Sequence, residues 1–129
     1  MSKPTERFET GMKTRRSVLG DVYVDAAVAR TSPFTTEFQT LITEAAWGSL
    51  WSNDSITKRE RSMITIALLA ALGHHDEVAM HIRATKNTGA TPEDIKQALL
   101  HVAIYAGVPA ANTAFKIVEK TLAELEGNK

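Results

Sequence analysis

The chain has 129 residues, of which fifteen are basic and fifteen acidic, so its formal net charge at pH 7 is zero. This length suits one domain with a single core, and the balanced charge gives no overall field that would attract nucleic acid or an anionic membrane. The absence of cysteine excludes disulfides, thiolate metal sites, redox thiol pairs and a cysteine nucleophile. We therefore expect one domain over residues 1–129, with neither nucleic acid nor membranes among its partners.

The N-terminal sequence MSKPTERFETG carries charges where a secretory signal needs an apolar run, which predicts a cytoplasmic protein. The longest apolar stretch, MITIALLAALG at 63–73, is about half of the ~20 residues that a membrane-spanning helix needs. We interpret this stretch instead as a helix buried on all sides.

Helix signals recur along the first half of the chain, and nothing alternates with the period of two that marks a half-buried strand. A first helix is predicted over about 4–19 with Gly20 as its stop, followed by a short segment over 22–30. Ser32-Pro33 then begins a helix that reaches about Trp51, because its apolar residues recur three and four apart.

The second half of the chain shows the same punctuation. Thr57 and Glu60 have capping-box spacing at the start of the apolar helix, which Gly73 ends. The next helix runs over about 75–88 and is closed by Gly89.

Two further helices complete the prediction. Thr91 and Pro92 supply an N-cap and a first-turn proline for a helix that includes 95–106. Pro109 opens the last helix, which fades into a polar tail over 124–129. The whole pattern indicates an all-α bundle.

Apolar surface in two segments favours self-association. The 63–73 helix and a later alanine-rich region present more apolar surface than 129 residues can easily hide; the alanines are Ala103, Ala106, Ala110, Ala111 and Ala114. We expect a homo-oligomer, with a tightly packed monomeric bundle as the alternative.

The stretch HHDEVAMH, residues 74–81, is the first candidate for chemistry. On a helix, His74, Glu77 and His81 stand at i, i+3 and i+7 and share one face. Their spacing matches neither the H-E-x-x-H of zinc proteases nor the Glu-x-x-His pairs of di-iron bundles, so we predict no metal. Glu77 and His81 suit an acid–base pair in which the carboxylate fixes the imidazole tautomer and raises its pKa. The alternative for His74 is a solvated helix start.

Arginines form the second candidate set, because guanidinium groups bind carboxylates through charge-assisted hydrogen bonds. The candidates are Arg15, Arg16, Arg59, Arg61 and Arg83, although a surface ion pair is the commoner role of any single arginine. Trp47, Trp51 and Tyr105 could line a pocket beside them or fill the core, and the core is the default for Trp51.

Several phrases resemble the carboxymuconolactone decarboxylase family. They are RRSVLGDVYVD (15–25), FTTEFQTLITEAAWGSLWS (34–52), RSMITIALLAALG (61–73) and HIRATKNTGATPEDIKQALLHVAIYAGVPAANTAF (81–115). The likeness extends from about Phe8 to Leu122. Its last part is also similar to the wider AhpD-like superfamily, whose thiol-active members carry Cys-x-x-Cys before the histidine that corresponds to His81. His74 and Glu77 occupy those two positions here, so a thiol peroxidase is excluded.

The resemblance implies an all-α AhpD-like bundle, a ring-like homohexamer and proton chemistry. It also implies a reaction that needs no cofactor: 4-carboxymuconolactone loses its ring carboxylate and becomes 3-oxoadipate enol-lactone in protocatechuate catabolism, the β-ketoadipate pathway. Many relatives have Arg-His-Ala-Trp-Gly where this chain has EAAWG at 44–48. Since alanine occupies position 45 here, a histidine at that position cannot be essential to this activity. This leaves His81 as the main candidate for the catalytic histidine.

Each candidate residue then receives an expected role. His81, oriented by Glu77, delivers the proton, and Arg15, Arg16 or Arg61 anchors the acetate arm of the small dicarboxylate lactone. Trp47 and Tyr105 contact the departing carboxylate with their apolar rings. Tyr105 is also a candidate hydrogen-bond donor to the lactone oxygen, and His74 is the last of the candidate substrate-binding residues.

Two other readings stay open. One is a related cofactor-free lyase or isomerase that acts on another carboxylated lactone. The other is a non-enzymatic helical oligomer whose arginines and histidines only form interfaces.

Overall fold

The computed structural model describes residues 4–127, which form seven α-helices and one π-helix without any strand. This confirms the all-α prediction. None of these helices combines the length and the apolar character needed to cross a bilayer. In chain order the elements are α1 (Glu6–Leu19), α2 (Asp21–Ala29), α3 (Thr36–Ile42), the π-helix (Thr43–Trp51), α4 (Lys58–Leu72), α5 (His75–Thr88), α6 (Pro92–Tyr105) and α7 (Val108–Gly127).

The helices fall into two compact units that meet in sequence between Thr57 and Lys58. The first holds α1 to the π-helix, and the second holds α4 to α7. A single domain over 1–129 stays a prediction, and the last two residues of the predicted polar tail lie outside the described range.

Two glycines allow α1 to lie directly against the π-helix in the first unit. A Cβ built on Gly11 would come 2.0 Å from the carbonyl oxygen of Thr43, and one on Gly48 would come 2.6 Å from that of Arg7. These distances are far inside van der Waals contact, so no other residue fits at either position without moving the backbone.

The predicted helix from Ser32-Pro33 to Trp51 is corrected in two respects. Residues 33–35 form a turn, so the α-helix begins only at Thr36, and at Thr43 it changes to π-helical winding. At this change, the Arg7 guanidinium donates to the Glu44 carbonyl oxygen at 3.0 Å. The apolar spacing, which fits an ordinary α-helix, could not predict the change, because π-helical winding is rare.

Four helices enclose the apolar core of the second unit. The core consists of Ile66, Ala70, Val78, Ile82, Ile95, Leu99, Val102, Ala111, Ala114 and Val118. The predicted cap of α6 is confirmed, because Thr91 and Asp94 form a reciprocal capping box. Arg59 adds a two-bond ion pair to Asp94, with distances of 2.7 and 2.6 Å, and so ties α4 to the start of α6.

The prediction that the 63–73 helix is buried on all sides is wrong for the described chain. In α4, Ile66 and Ala70 face the core, whereas Ile64, Leu68 and Leu72, spaced four apart, are exposed. The neighbouring helices of the second unit cover only one side of α4, and an apolar stripe is left on the other.

Candidate functional site

The candidate site centres on His81, in the middle of α5. Local sequence fixes this helix: acidic residues occupy its first turn, and Gly89 ends it in a left-handed conformation with φ of 88°. Val78, His81, Ile82 and Thr85 recur on the buried side of the helix. His81 is consequently drawn inward with the core residues and is only 6% exposed.

Burial determines the charge of His81. Loss of hydration lowers the pKa of its imidazole to about 4, and the smaller effect of the Glu77 carboxylate, which raises the pKa, offsets this only in part. The Glu77 contribution thus has the expected direction, but burial has the larger effect and the net pKa is lowered. At pH 7 the imidazole is neutral and can donate from one ring nitrogen while accepting at the other.

The other two members of the predicted cluster lie at the surface. His74 precedes α5 at the N-cap position without a side-chain hydrogen bond to the helix, and both His74 and Glu77 are exposed. Within residues 4–127, no three histidine, aspartate or glutamate side chains are close enough together to hold a metal ion.

Most of the candidate arginines already contact carboxylates. Arg16 lies 3.0 Å from Asp21 and 2.8 Å from Asp25. The Arg83 guanidinium lies 3.8 Å from Glu124, a longer contact on the surface. Together with Arg59 these residues are surface ion pairs, as the commoner role predicts. Arg61 is half-buried at the start of α4.

Arg15 differs from these arginines because it is buried, at 7% exposure. Its guanidinium Nη1 donates to the side-chain oxygen of Gln39 at 3.4 Å, the long limit of a hydrogen bond. Gln39 was not identified from the sequence, since nothing in the local pattern indicates that a residue of α3 reaches a residue of α1.

The aromatic candidates have opposite environments. Trp47 and Trp51 are both buried, one turn apart in the π-helix, and their ring centroids are 5.2 Å apart. Tyr105 is 85% exposed at the end of α6, where its ring stacks on His101 with centroids 6.1 Å apart. Trp51 therefore fills the core as expected, whereas Tyr105 faces outward from the second unit.

The second unit carries two surface grooves. One, of about 250 Å³, runs between α6 and α7 beside Leu99 and Phe115. The other, of about 260 Å³, lies between α5 and α7 and is lined in part by Arg83 and Lys120. His81 lines neither, so the imidazole and these grooves are separate features.

Comparison with known proteins gives one family and three relatives. Residues 36–120 match the model of the carboxymuconolactone decarboxylase family. The chain is 38% identical over 120 residues to a 4-carboxymuconolactone decarboxylase of Acinetobacter baylyi, covering 93% of this chain and 90% of the relative. A 43-residue match to a 4-carboxymuconolactone decarboxylase of Pseudomonas putida is 44% identical and covers 33% of this chain and 90% of that sequence.

A third relative carries a different substrate in its name. The chain is 36% identical over 118 residues to a nitrosuccinic acid decarboxylase of Metarhizium robertsii, covering 92% of this chain and 82% of the relative. Like the other two, this relative is named as a decarboxylase.

Proposed function

Because the chain belongs to the carboxymuconolactone decarboxylase family, we propose that it decarboxylates 4-carboxymuconolactone to 3-oxoadipate enol-lactone in the β-ketoadipate pathway. The observation that carries this proposal is the match to the Acinetobacter baylyi enzyme along nearly the whole of both chains. The buried, uncharged His81 supports it, because an imidazole shielded from water is a suitable general acid–base group.

The substrate provides its own electron sink for the step. When the bond between the ring carbon and the carboxylate breaks, carbon dioxide leaves. The electron pair of that bond moves through the conjugated double bond onto the carbonyl oxygen of the lactone. A proton then adds to the ring carbon next to the lactone carbonyl. The reaction consumes one proton for each carbon dioxide released, and nothing is oxidised or reduced.

His81 is proposed as the source of that proton, although its low pKa requires an explanation. With a pKa of about 4, only about one imidazole in a thousand is protonated at pH 7. Raising the pKa from about 4 to about 7 takes about 4 kcal/mol. One substrate carboxylate about 4 Å from the ring supplies roughly that amount at an effective dielectric constant of 20. Binding of a dianionic lactone is therefore proposed to bring the pKa of His81 to about 7, at which about half of the imidazoles are protonated at neutral pH.

The remaining groups are proposed to hold the substrate. An arginine from the candidate set binds the carboxylate of the acetate arm, while the departing carboxylate lies against apolar side chains, since an ion pair would stabilise the group that must be lost. Trp47 is the buried aromatic candidate for that apolar contact. Tyr105, exposed on its own chain, would take this role only in an assembly that covers it.

Self-association is supported by the exposed apolar side chains of the second unit. Ile64, Leu68 and Leu72 form one stripe on α4, and Leu100 and Ile104 are exposed on α6. Contiguous apolar surface of this kind marks protein–protein contact. We propose a homo-oligomer; the homohexamer implied by the family resemblance and the cytoplasmic location stay predictions.

A second substrate is suggested by the Metarhizium robertsii relative. Nitrosuccinic acid is also a small diacid, and its nitro group can accept the electron pair from the broken bond as a nitronate. The same acid–base group and carboxylate anchor would serve both molecules. Comparison of kcat/KM for the two substrates, measured on the same preparation, decides between them.

The experiment that tests the proposal follows freshly generated 4-carboxymuconolactone by ultraviolet absorbance, with carbon dioxide measured in parallel. We expect protein-dependent loss of the lactone, one carbon dioxide per lactone, and an unchanged rate in the presence of a chelator. Lactone loss without carbon dioxide would identify an isomerase, and no loss at all would contradict the proposal. A rate that falls on chelation would point to a metal-dependent reaction.

A further inference from the structure

Among residues 4–127, Arg15 is a buried cation without a matching anion. Its Nε atom is inaccessible to water and has no hydrogen-bond partner among residues 4–127, and its Nη1 makes only the long contact to Gln39. No carboxylate of these residues forms an ion pair with it, whereas its neighbour Arg16 contacts two aspartates. The two adjacent guanidinium groups of α1 therefore have opposite environments.

Burial of such a group is costly. Loss of hydration lowers the pKa of Arg15, and repulsion from the nearby positive charge of Arg16 lowers it further. A guanidinium nevertheless stays protonated at any physiological pH. It cannot escape the cost by losing its proton, as a lysine or histidine could. A buried charge that lacks a partner destabilises the fold unless a ligand supplies the opposite charge.

The surroundings of Arg15 suit an anion with oxygen atoms in a plane. A guanidinium presents parallel N–H groups that bind both oxygens of a carboxylate, and the Gln39 side chain beside it carries an amide that can donate a further bond. Tyr23 lies near Arg15 as well. In the part of the chain that the structure describes, no acidic side chain forms an ion pair with the guanidinium that would compete with such a ligand.

We infer that Arg15 and Gln39 form a binding site for a carboxylate group of a small diacid. Under the proposed function, on which the identity of this ligand rests, the group is the carboxylate of the acetate arm that the product retains. Arg15 is then the anchor among the three arginines that the sequence leaves as alternatives, and Arg16 is held by Asp21 and Asp25.

The test uses succinate, a small diacid that cannot undergo the reaction, and compares the full-length protein with Arg15→Met and Arg15→Lys. The fluorescence of Trp47 and Trp51 reports binding, because their helix packs against α1. Loss of the charge-assisted bonds in Arg15→Met should weaken succinate binding roughly tenfold to a hundredfold. Arg15→Lys, which keeps the charge without the planar fork, should show an intermediate loss. Lys13→Met, which removes an exposed cation from the same helix, should bind like wild type.

A readout of stability separates a binding role from a structural one. If Arg15 is retained for a ligand, Arg15→Met should raise the Tm of the free protein, because a buried uncompensated charge is removed. Succinate should raise the Tm of wild type and leave that of Arg15→Met unchanged. Wild-type affinity for succinate in Arg15→Met would overturn the inference. If that variant does not fold, unchanged affinity in Arg15→Lys would overturn it.

The outcome is distinguishable from failure of the proposed function. In turnover of 4-carboxymuconolactone, Arg15→Met should raise KM more than it lowers kcat, since the bond is present in both ground and transition states. If the wild-type protein does not decarboxylate the lactone but binds succinate through Arg15, the proposed function fails and the diacid site stands. If wild type turns over the lactone with a KM that Arg15→Met leaves unchanged, the diacid site fails alone.

Discussion

Glu77 lies one helical turn before His81 on α5, and the two differ sharply in environment: the carboxylate is exposed, whereas the imidazole is 6% exposed. The negative charge of Glu77 raises the pKa of His81, but burial lowers it more, to about 4. The helix thus presents an uncharged imidazole whose protonation depends on what binds beside it.

Replacement of His81 by glutamine should abolish most of the decarboxylase activity. Glutamine preserves hydrogen-bonding capacity and approximate size but cannot carry a transferable proton at neutral pH, so kcat should fall by about 10²–10⁴. Steady-state kinetics on a variant whose circular dichroism and oligomeric state match wild type provide the measurement. The exposed His101, changed to glutamine, is the matched control, and near-normal turnover of His81→Gln would remove the central assignment.

Substrate binding should be accompanied by proton uptake. His81 is neutral in the free protein at pH 7, and a dianion beside it that raises its pKa to about 7 should cause uptake of about half a proton when the diacid binds. Calorimetric titration with succinate, repeated in buffers with different ionisation enthalpies, measures this number. His81→Gln should show no uptake; equal uptake in both proteins would assign the proton to another group.

Acid should destabilise the protein through His81 over a defined range of pH. The pKa of the imidazole is about 4 when folded and 6.5 when exposed, so the unfolded chain binds more protons between these values. The free energy of unfolding should therefore fall by about 3 kcal/mol as the pH decreases from about 6.5 to about 4. Above that range His81 should cause no change of the unfolding free energy with pH. Urea denaturation at several pH values tests this expectation. The His81→Gln variant should lose that part of the pH dependence, while His101→Gln retains it.

Substitution of alanine for Gly11 should destabilise the first unit. The added Cβ would meet the backbone oxygen of Thr43 at 2.0 Å, so α1 and the π-helix must separate. We expect a loss of about 1–3 kcal/mol despite the higher helix propensity of alanine, which favours the substitution by about 1 kcal/mol. Gly127→Ala, where no atom of residues 4–127 lies within 4 Å of the new atom, provides the control in a thermal melt and should not lower the Tm.

A charge in the apolar stripe of α4 should dissociate the proposed oligomer. Leu68 is 57% exposed at the centre of that stripe, so lysine is tolerated in the free chain but disfavoured in an apolar interface. Analytical ultracentrifugation of Leu68→Lys should show a smaller species than wild type. Lys86→Glu, a charge change at an exposed polar position of α5, should leave the mass unchanged. A wild-type protein that is already monomeric would contradict the prediction.

Local sequence was sufficient to determine the helices of the second unit. Gly89 and the Thr91 capping box act within a few residues, and helical spacing places Val78, His81, Ile82 and Thr85 on one side of α5. These signals depend on hydrogen bonds between residues close in the chain, so they can be predicted from a short stretch of sequence. The family resemblance, likewise, was carried by phrases read directly from the sequence.

Tertiary structure alone decided the features that depend on distant neighbours. Arg15 and Arg16 are adjacent residues of the same type, so the sequence does not distinguish them. Their positions on α1 decide that Arg16 contacts Asp21 and Asp25, whereas Arg15 contacts Gln39. The backbones of α1 and the π-helix lie in contact at Gly11 and Gly48, and the pKa of His81 is lowered because the packed chain removes water from it. Desolvation and close packing are properties of an environment assembled from several helices, so no short stretch of sequence contains them.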